Sequence, residues 1–154
     1  MEYRKLVLLN NLQKQTFCDL KASKIHGVGV FAVKDIPKDI NPFLKCNLSR
    51  LEKYYDFSEQ ELSENLNEAT VRLIKKLIFP NKNYPIPENG INSINLSFYL
   101  NHSEESNMKS RVDSSSRTSF LSFFSTREVK AGEELFINYF QEFGEELGRQ
   151  VLTQ

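Results

Sequence analysis

Apolar positions recur along this chain in two rhythms. In the first part they form short runs: Leu6 to Leu9, Phe17 to Leu20, and Val28-Gly29-Val30-Phe31-Ala32-Val33. Compact apolar stretches of this kind, the third rich in β-branched and aromatic residues, predict short strands. Asp35-Ile36-Pro37-Lys38-Asp39 predicts a turn, because proline fixes φ and the flanking acids favour turning. In the middle the rhythm changes. Leu62, Leu66, Ala69, Leu73 and Leu77 recur at helical spacing, with Glu59, Glu64, Glu68, Arg72 and Lys76 off that stripe. Ser58 with Glu61 has the form of a capping box, and Phe57 with Leu62 that of a hydrophobic staple. The pattern predicts one helix over 59–78, ended by Pro80, with a break near Asn65 to Asn67 as the alternative.

Downstream, Pro80, Pro85, Pro87 and Asn89-Gly90 punctuate a loop with at most short strands. Met108 to Thr118 is polar, with Ser114-Ser115-Ser116 at its centre, and reads as a surface loop or hairpin connection. Phe120 to Phe124 predicts a buried strand. Lys130-Ala131-Gly132-Glu133 predicts a turn and Leu135 to Phe140 a further strand. Phe143, Leu147 and Val151 lie on one face of a short helix between Gln141 and Leu152. No internal repeat or heptad array is present. Many short strands with one substantial helix predict a β-rich α+β domain.

Composition narrows the classes. A chain of 154 residues makes a single domain, and a hydrophobic share of 40% is enough to build a core. Lys and Arg number 20, as do Asp and Glu, so no bulk charge draws the chain to nucleic acid or anionic lipid. No apolar run is long enough to span a bilayer. Met1-Glu2-Tyr3-Arg4-Lys5 opens without the apolar segment of a secretory signal. Cys18 and Cys46 are too few for a disulfide framework or a multi-cysteine zinc site. They read as packing residues or free thiols, which suits a reducing, intracellular compartment, nuclear or cytoplasmic.

Three segments carry candidate chemistry. Lys24-Ile25-His26-Gly27-Val28-Gly29-Val30-Phe31-Ala32 holds paired glycines that let a backbone approach a ligand. It lacks the third glycine of a dinucleotide fingerprint, and by itself reads as a bent strand. Ser97-Phe98-Tyr99-Leu100-Asn101-His102-Ser103, followed by Asn107, ends an apolar run in side chains that hydrogen-bond in several directions. By itself it reads as a strand closing in a turn. His26 and His102 are the only histidines, and neither has cysteine or carboxylate at ligand spacing, so no metal is expected. Ser103 with His102 lacks the elbow motif of a serine hydrolase. Ala131-Gly132-Glu133-Glu134-Leu135-Phe136-Ile137-Asn138-Tyr139 reads by itself as a hairpin ending in a half-buried strand tyrosine.

Taken together and in this order, the three segments resemble the SET-domain protein lysine methyltransferases. The resemblance covers about 24–140 of a single SET-like domain over 1–154, with a helical insert over about 58–79. It implies small curved sheets with a threaded C-terminal segment. It also implies S-adenosylmethionine as methyl donor, S-adenosylhomocysteine as product, no metal, and a lysine-containing protein or peptide, histones among the options, as substrate. Residue by residue, it places the backbone at His26, Gly27, Val28 and Gly29, the Asn101 side chain and the His102 backbone against the donor. Tyr139 matches the catalytic tyrosine and also faces the donor. Tyr99 and Ile137 fall where a substrate channel would run, with Phe98, Phe140 and Phe143 as further aromatic candidates. Three positions depart from the family pattern. Glu104 replaces a cysteine after Asn-His-Ser, Ile137 stands where an aromatic often tunes methylation number, and Leu77 or Tyr84 stands where an upstream tyrosine is expected. Cysteine-rich flanking modules are absent. These departures keep open an alternative reading, a catalytically weak or inactive SET-like module that binds peptides or proteins. Oligomeric state is not readable from the chain.

Overall fold

The structure is a computed structural model that describes residues 3–44, 54–78, 82–112 and 121–152. A four-stranded sheet carries the three candidate segments. Its strands are β1 (Cys18–Ala22), β2 (Val28–Ala32), β5 (Asn101–His102) and β8 (Glu134–Ile137), in the spatial order β1-β2-β8-β5. β1 and β2 form an antiparallel pair from Cys18 opposite Ala32 to Ala22 opposite Val28. β2 then meets β8 antiparallel, with Val30 opposite Leu135 and Phe31 opposite Glu134. β5 joins the other edge of β8 in parallel, Asn101 opposite Phe136 and His102 opposite Ile137. Segments far apart in sequence thus become neighbours through the central strand β8.

Two smaller pairs complete the strands. β3 (Tyr54–Phe57) pairs antiparallel with β4 (Tyr84–Pro87), and β6 (Met108–Val112) pairs antiparallel with β7 (Leu121–Ser125). Pro85 and Pro87 are tolerated because β4 belongs to a two-stranded sheet, where one edge needs no donors. Val30, Ala32, Ile36, Leu100, Met108, Val129, Leu135 and Ile137 form the main core beneath the four-stranded sheet. Leu62, Val71, Ile74, Ile78 and Tyr84 form a second core under the helices between β3 and β4. The mixed α+β class read from the sequence is the class observed.

Several local expectations are corrected. Leu6 to Leu9 is not a strand but part of helix α1 (Tyr3–Gln15). The segment has no glycine or proline and is rich in good helix formers, so a four-residue apolar run was ambiguous between the two periods. The helix over 59–78 is broken near Asn65 to Asn67, the alternative that the sequence left open, into α2 (Glu59–Asn65) and α3 (Glu68–Leu77). Leu66 is extended, and Asn67 caps α3 by accepting from the Thr70 amide at 2.9 Å. That restart changes the helical phase. Leu62 stays buried at 4%, but Leu66 and Leu73 are 39% and 46% exposed, while Val71 and Ile74 turn inward. The capping box at Ser58 and Glu61 forms as read. Pro80 lies outside the described residues.

Met108 to Val112, read as part of a surface loop or hairpin connection, is strand β6, paired antiparallel with β7, while 113–120, including the serine run and Phe120, lies outside the described residues. The strand expected over Leu135 to Phe140 ends at Ile137. Asn138 accepts from the Phe140 and Gln141 amides and starts α4 (Tyr139–Phe143), so Tyr139 opens a helix rather than extending a strand. Gly144, at φ +80°, separates α4 from α5 (Glu145–Leu152), splitting the expected tail helix. Cys18 is free and half-buried, and burial pushes its thiol up to about 12; Cys46 lies outside the described residues. Among the described residues no helix is long and apolar enough to cross a membrane.

Candidate functional site

The site begins at the bend between β1 and β2. The Ser23 hydroxyl accepts from the Ile25 amide at 3.0 Å, and the Ser23 amide donates to the Gly27 carbonyl at 2.9 Å. Gly27 sits at φ +51°, a conformation that L side chains rarely adopt. A Cβ on Gly27 would meet nothing within 4 Å, so this corner of the backbone faces open space. His26, Gly27 and Val28 are all exposed, and Gly29 is buried.

Asn101 comes to this bend from the end of β5. It is buried at 7% exposure, and its Nδ2 donates to the His26 carbonyl at 3.1 Å and the Val28 carbonyl at 3.2 Å. The first and second sequence segments are therefore in direct contact through side chains and backbone. The same Nδ2 lies 2.9 Å from Glu134 Oε1.

Tyr139 enters from the third segment. Its amide donates to His102 Nδ1 at 3.1 Å, so that ring nitrogen carries no proton. Its hydroxyl donates to the Leu100 carbonyl at 2.7 Å, immediately before Asn101. Burial pushes the Tyr139 phenol up to about 12, so it is a neutral hydrogen-bond donor and not a phenolate at neutral pH. The His102 ring lies 5.3 Å from Tyr139 and edge-on to Phe140 at 5.2 Å, and Tyr139 lies 5.9 Å from Phe143. These rings make one aromatic cluster at the open end of β8.

The remaining candidates separate. Tyr99, at the end of a 3-10 turn (Leu96–Tyr99), and Phe143 pack against the main core. Ile137 is 3% exposed and is itself a main-core residue. Leu77, Tyr84 and Phe98 belong to the second core, where burial raises the Tyr84 phenol above its ordinary value. Glu104 is exposed in the turn after β5.

Glu134 and the Leu100 carbonyl were not singled out from the sequence as site groups, whereas Asn107 was noted there after the Asn101-His102-Ser103 segment. Glu134 joins Ser23 and Asn101 through its carboxylate. Asn107, 2% exposed, donates to the Glu134 carbonyl at 2.9 Å and accepts from the Phe136 amide at 2.8 Å, pairing with β8 as a strand would. Leu100 contributes only a carbonyl, which no side-chain pattern reveals. Asn107 had a signal as the asparagine that follows the Asn101-His102-Ser103 segment. Glu134 had none without the register of β2 against β8.

The residues fit a donor with an adenosine and an amino-acid end on two counts. The bend offers backbone against open space at Gly27, and a buried amide is fixed beside it. Among the described residues no group of histidine, cysteine and carboxylate side chains is arranged to hold a metal.

Comparisons with known proteins bear on the family and the fold. The SET domain family model matches residues 27–140. None of the curated proteins matches the chain significantly. Among solved structures, the chain is similar to a Plasmodium falciparum protein named for a histone methyltransferase activity. That likeness has TM-score 0.50 and 16% identity, and covers 85% of this chain and 99% of that one. It is also similar to a humanized mutant of the Chaetomium thermophilum Polycomb Repressive Complex 2 bound to an inhibitor, at TM-score 0.50 and 24% identity. A third similarity is to that complex in an autoinhibited conformation bound to S-adenosylmethionine, at TM-score 0.52 and 23% identity. The two Polycomb matches cover 86% and 90% of this chain but only 16% and 17% of theirs, so the shared part is one domain of a much longer protein. At these identities the structures speak for the fold, and the family model speaks for membership. The chain belongs to the SET-domain family.

Proposed function

We propose that this chain is an S-adenosylmethionine-dependent protein-lysine N-methyltransferase. The observation that carries the proposal is convergence: the glycine bend, Asn101-His102 and Tyr139 meet around the ends of β2, β5 and β8. The backbone at His26, Gly27, Val28 and Gly29, with Asn101 and His102, would hold the donor. When bound, the donor supplies a methyl group on a cationic sulfur to an attacking amine. Tyr139 lies beside this corner as a protonated phenol whose hydroxyl is oriented by the Leu100 carbonyl. It orients rather than abstracts, because burial keeps its proton on. The target lysine must arrive neutral, and an apolar aromatic surround of Tyr139, Phe140 and Phe143 disfavours the ammonium form. Catalysis then rests on positioning and electrostatics. Tyr99 and Ile137 are the less direct candidates for the substrate channel, Ile137 acting from the core behind it.

A second reading, a SET-like module that binds without turnover, draws on one observation. Leu77 and Tyr84, the two candidates for an upstream tyrosine position, both sit in the second core. Incubation with methyl-labelled S-adenosylmethionine and lysine-bearing protein substrates, histones included, separates the readings. The enzyme transfers label to lysine and loses transfer when Tyr139 becomes phenylalanine. Donor binding without transfer across a broad substrate set supports the binding module, and absence of donor binding sinks the enzyme.

A further inference from the structure

We infer that Glu134 is a positioning residue that tunes the site for the cationic ammonium at the donor's amino-acid end. The inference rests on the donor reading above, and goes beyond it to a carboxylate that this reading does not use. Glu134 leaves β8 opposite Phe31, and its side chain lies across Gly29. A Cβ on Gly29 would stand 2.0 Å from Glu134 Oε1, so this carboxylate takes the space that the glycine leaves. Oε1 accepts from Asn101 Nδ2 at 2.9 Å, and Oε2 accepts from the Ser23 hydroxyl at 3.0 Å. Among the described residues no lysine or arginine forms an ion pair with it, whereas Asp35, Asp39, Glu59 and Glu133 each have one.

Two consequences follow from the chemistry of these groups. First, Asn101 Nδ2 is surrounded by acceptors only: a carboxylate oxygen and the carbonyls of His26 and Val28. Turning the amide over would set Oδ1 against three oxygens, so the orientation is fixed. The polar atom left for a ligand is therefore Oδ1, an acceptor. Second, an acceptor backed by a half-buried carboxylate that has no ion-pair partner among the described residues favours a cation and disfavours an anion. Glu134 would thus select which end group of the donor settles at Asn101, acting through the amide and through its charge.

Calorimetric titration of the whole chain with three compounds tests this. S-adenosylhomocysteine carries the ammonium, its deaminated analogue lacks it, and methylthioadenosine lacks the whole amino-acid end. Glu134→Gln is expected to weaken S-adenosylhomocysteine about tenfold, leave methylthioadenosine within about twofold, and leave the deaminated analogue unchanged or tighter. Should the Gln variant melt early or aggregate, Glu134→Asp, which withdraws the charge by one methylene, carries the same comparison with a smaller expected loss. Equal weakening of all three compounds would mark Glu134 as merely structural, and an unchanged S-adenosylhomocysteine affinity would also overturn the inference. If the unmodified chain binds none of the three, the donor reading itself fails and takes this inference with it.

Discussion

Gly29→Ala is the most informative single methyl group that can be added to this protein. The new Cβ would stand 2.0 Å from Glu134 Oε1 and 2.7 Å from its Cδ. The backbone of β2 is held on both sides by β1 and β8, so the carboxylate is the part that moves. Moving it breaks its hydrogen bonds with Ser23 and Asn101. Hydrogen bonds to a charged group contribute about 1.5–3 kcal/mol each, and water recovers part of that at a half-exposed carboxylate. The expected loss is roughly 2–4 kcal/mol in urea denaturation, since two such bonds go. Affinity for S-adenosylhomocysteine should fall with it, because Asn101 loses a partner that fixes its amide. The decisive comparison is Gly29→Ala in a Glu134→Ala background. There the clash is gone, the nearest remaining atom is Asn101 Nδ2 at 3.1 Å, and the cost should drop below about 1 kcal/mol. An equal cost in both backgrounds would refute the steric argument and place the strain elsewhere in β2.

Other predictions follow from the same network. Asn107→Ala orphans the Glu134 carbonyl and the Phe136 amide inside the core; at about 1–3 kcal/mol for each unsatisfied group, urea denaturation should show a loss of roughly 2–5 kcal/mol. A loss under about 1 kcal/mol would mean that water reaches β8. The Tyr139 phenol, held at about 12 against an ordinary 10, favours the fold while protonated. That contribution is complete below pH 10 and lost as pH rises through 12, so denaturation at rising pH should weaken the unmodified chain more steeply than Tyr139→Phe. Identical alkaline profiles would contradict the burial of the hydroxyl. Cys18, its thiol pushed up to about 12 by burial, should resist alkylation at pH 8 in the native chain and react once urea is added, as read by peptide mass mapping. Rapid native labelling of Cys18 would show that β1 opens.

What the sequence revealed divides along a physical line. The Val28 to Ala32 strand, the Ser58 cap and the Gly132 turn depend on neighbouring residues, and each forms where it was read. Leu6 to Leu9 failed because four apolar residues carry no period, and Leu73 failed because the Asn67 cap resets the helix behind it. The candidate site was legible only as three segments in a familiar order. Their meeting depends on the parallel pairing of β5 with β8, which joins residues 35 apart and leaves no trace in local pattern. Glu134 shows the limit most clearly. Beside Glu133 it is one of two adjacent acids on a turn and strand. Register alone sends Glu133 to Arg127 and Glu134 across Gly29 to Asn101.

The central claim is that one corner, built from the bend, Asn101-His102 and Tyr139, receives the methyl donor. A crystal structure with S-adenosylhomocysteine tests it most directly. The account predicts the amino-acid end at Asn101, the nucleoside along His26 to Val28 and the His102 backbone, and the sulfur next to the Tyr139 hydroxyl. Density for the ligand anywhere else, such as the groove of about 400 Å³ lined by Phe17, Phe43 and Leu96, with that corner left empty, would contradict it.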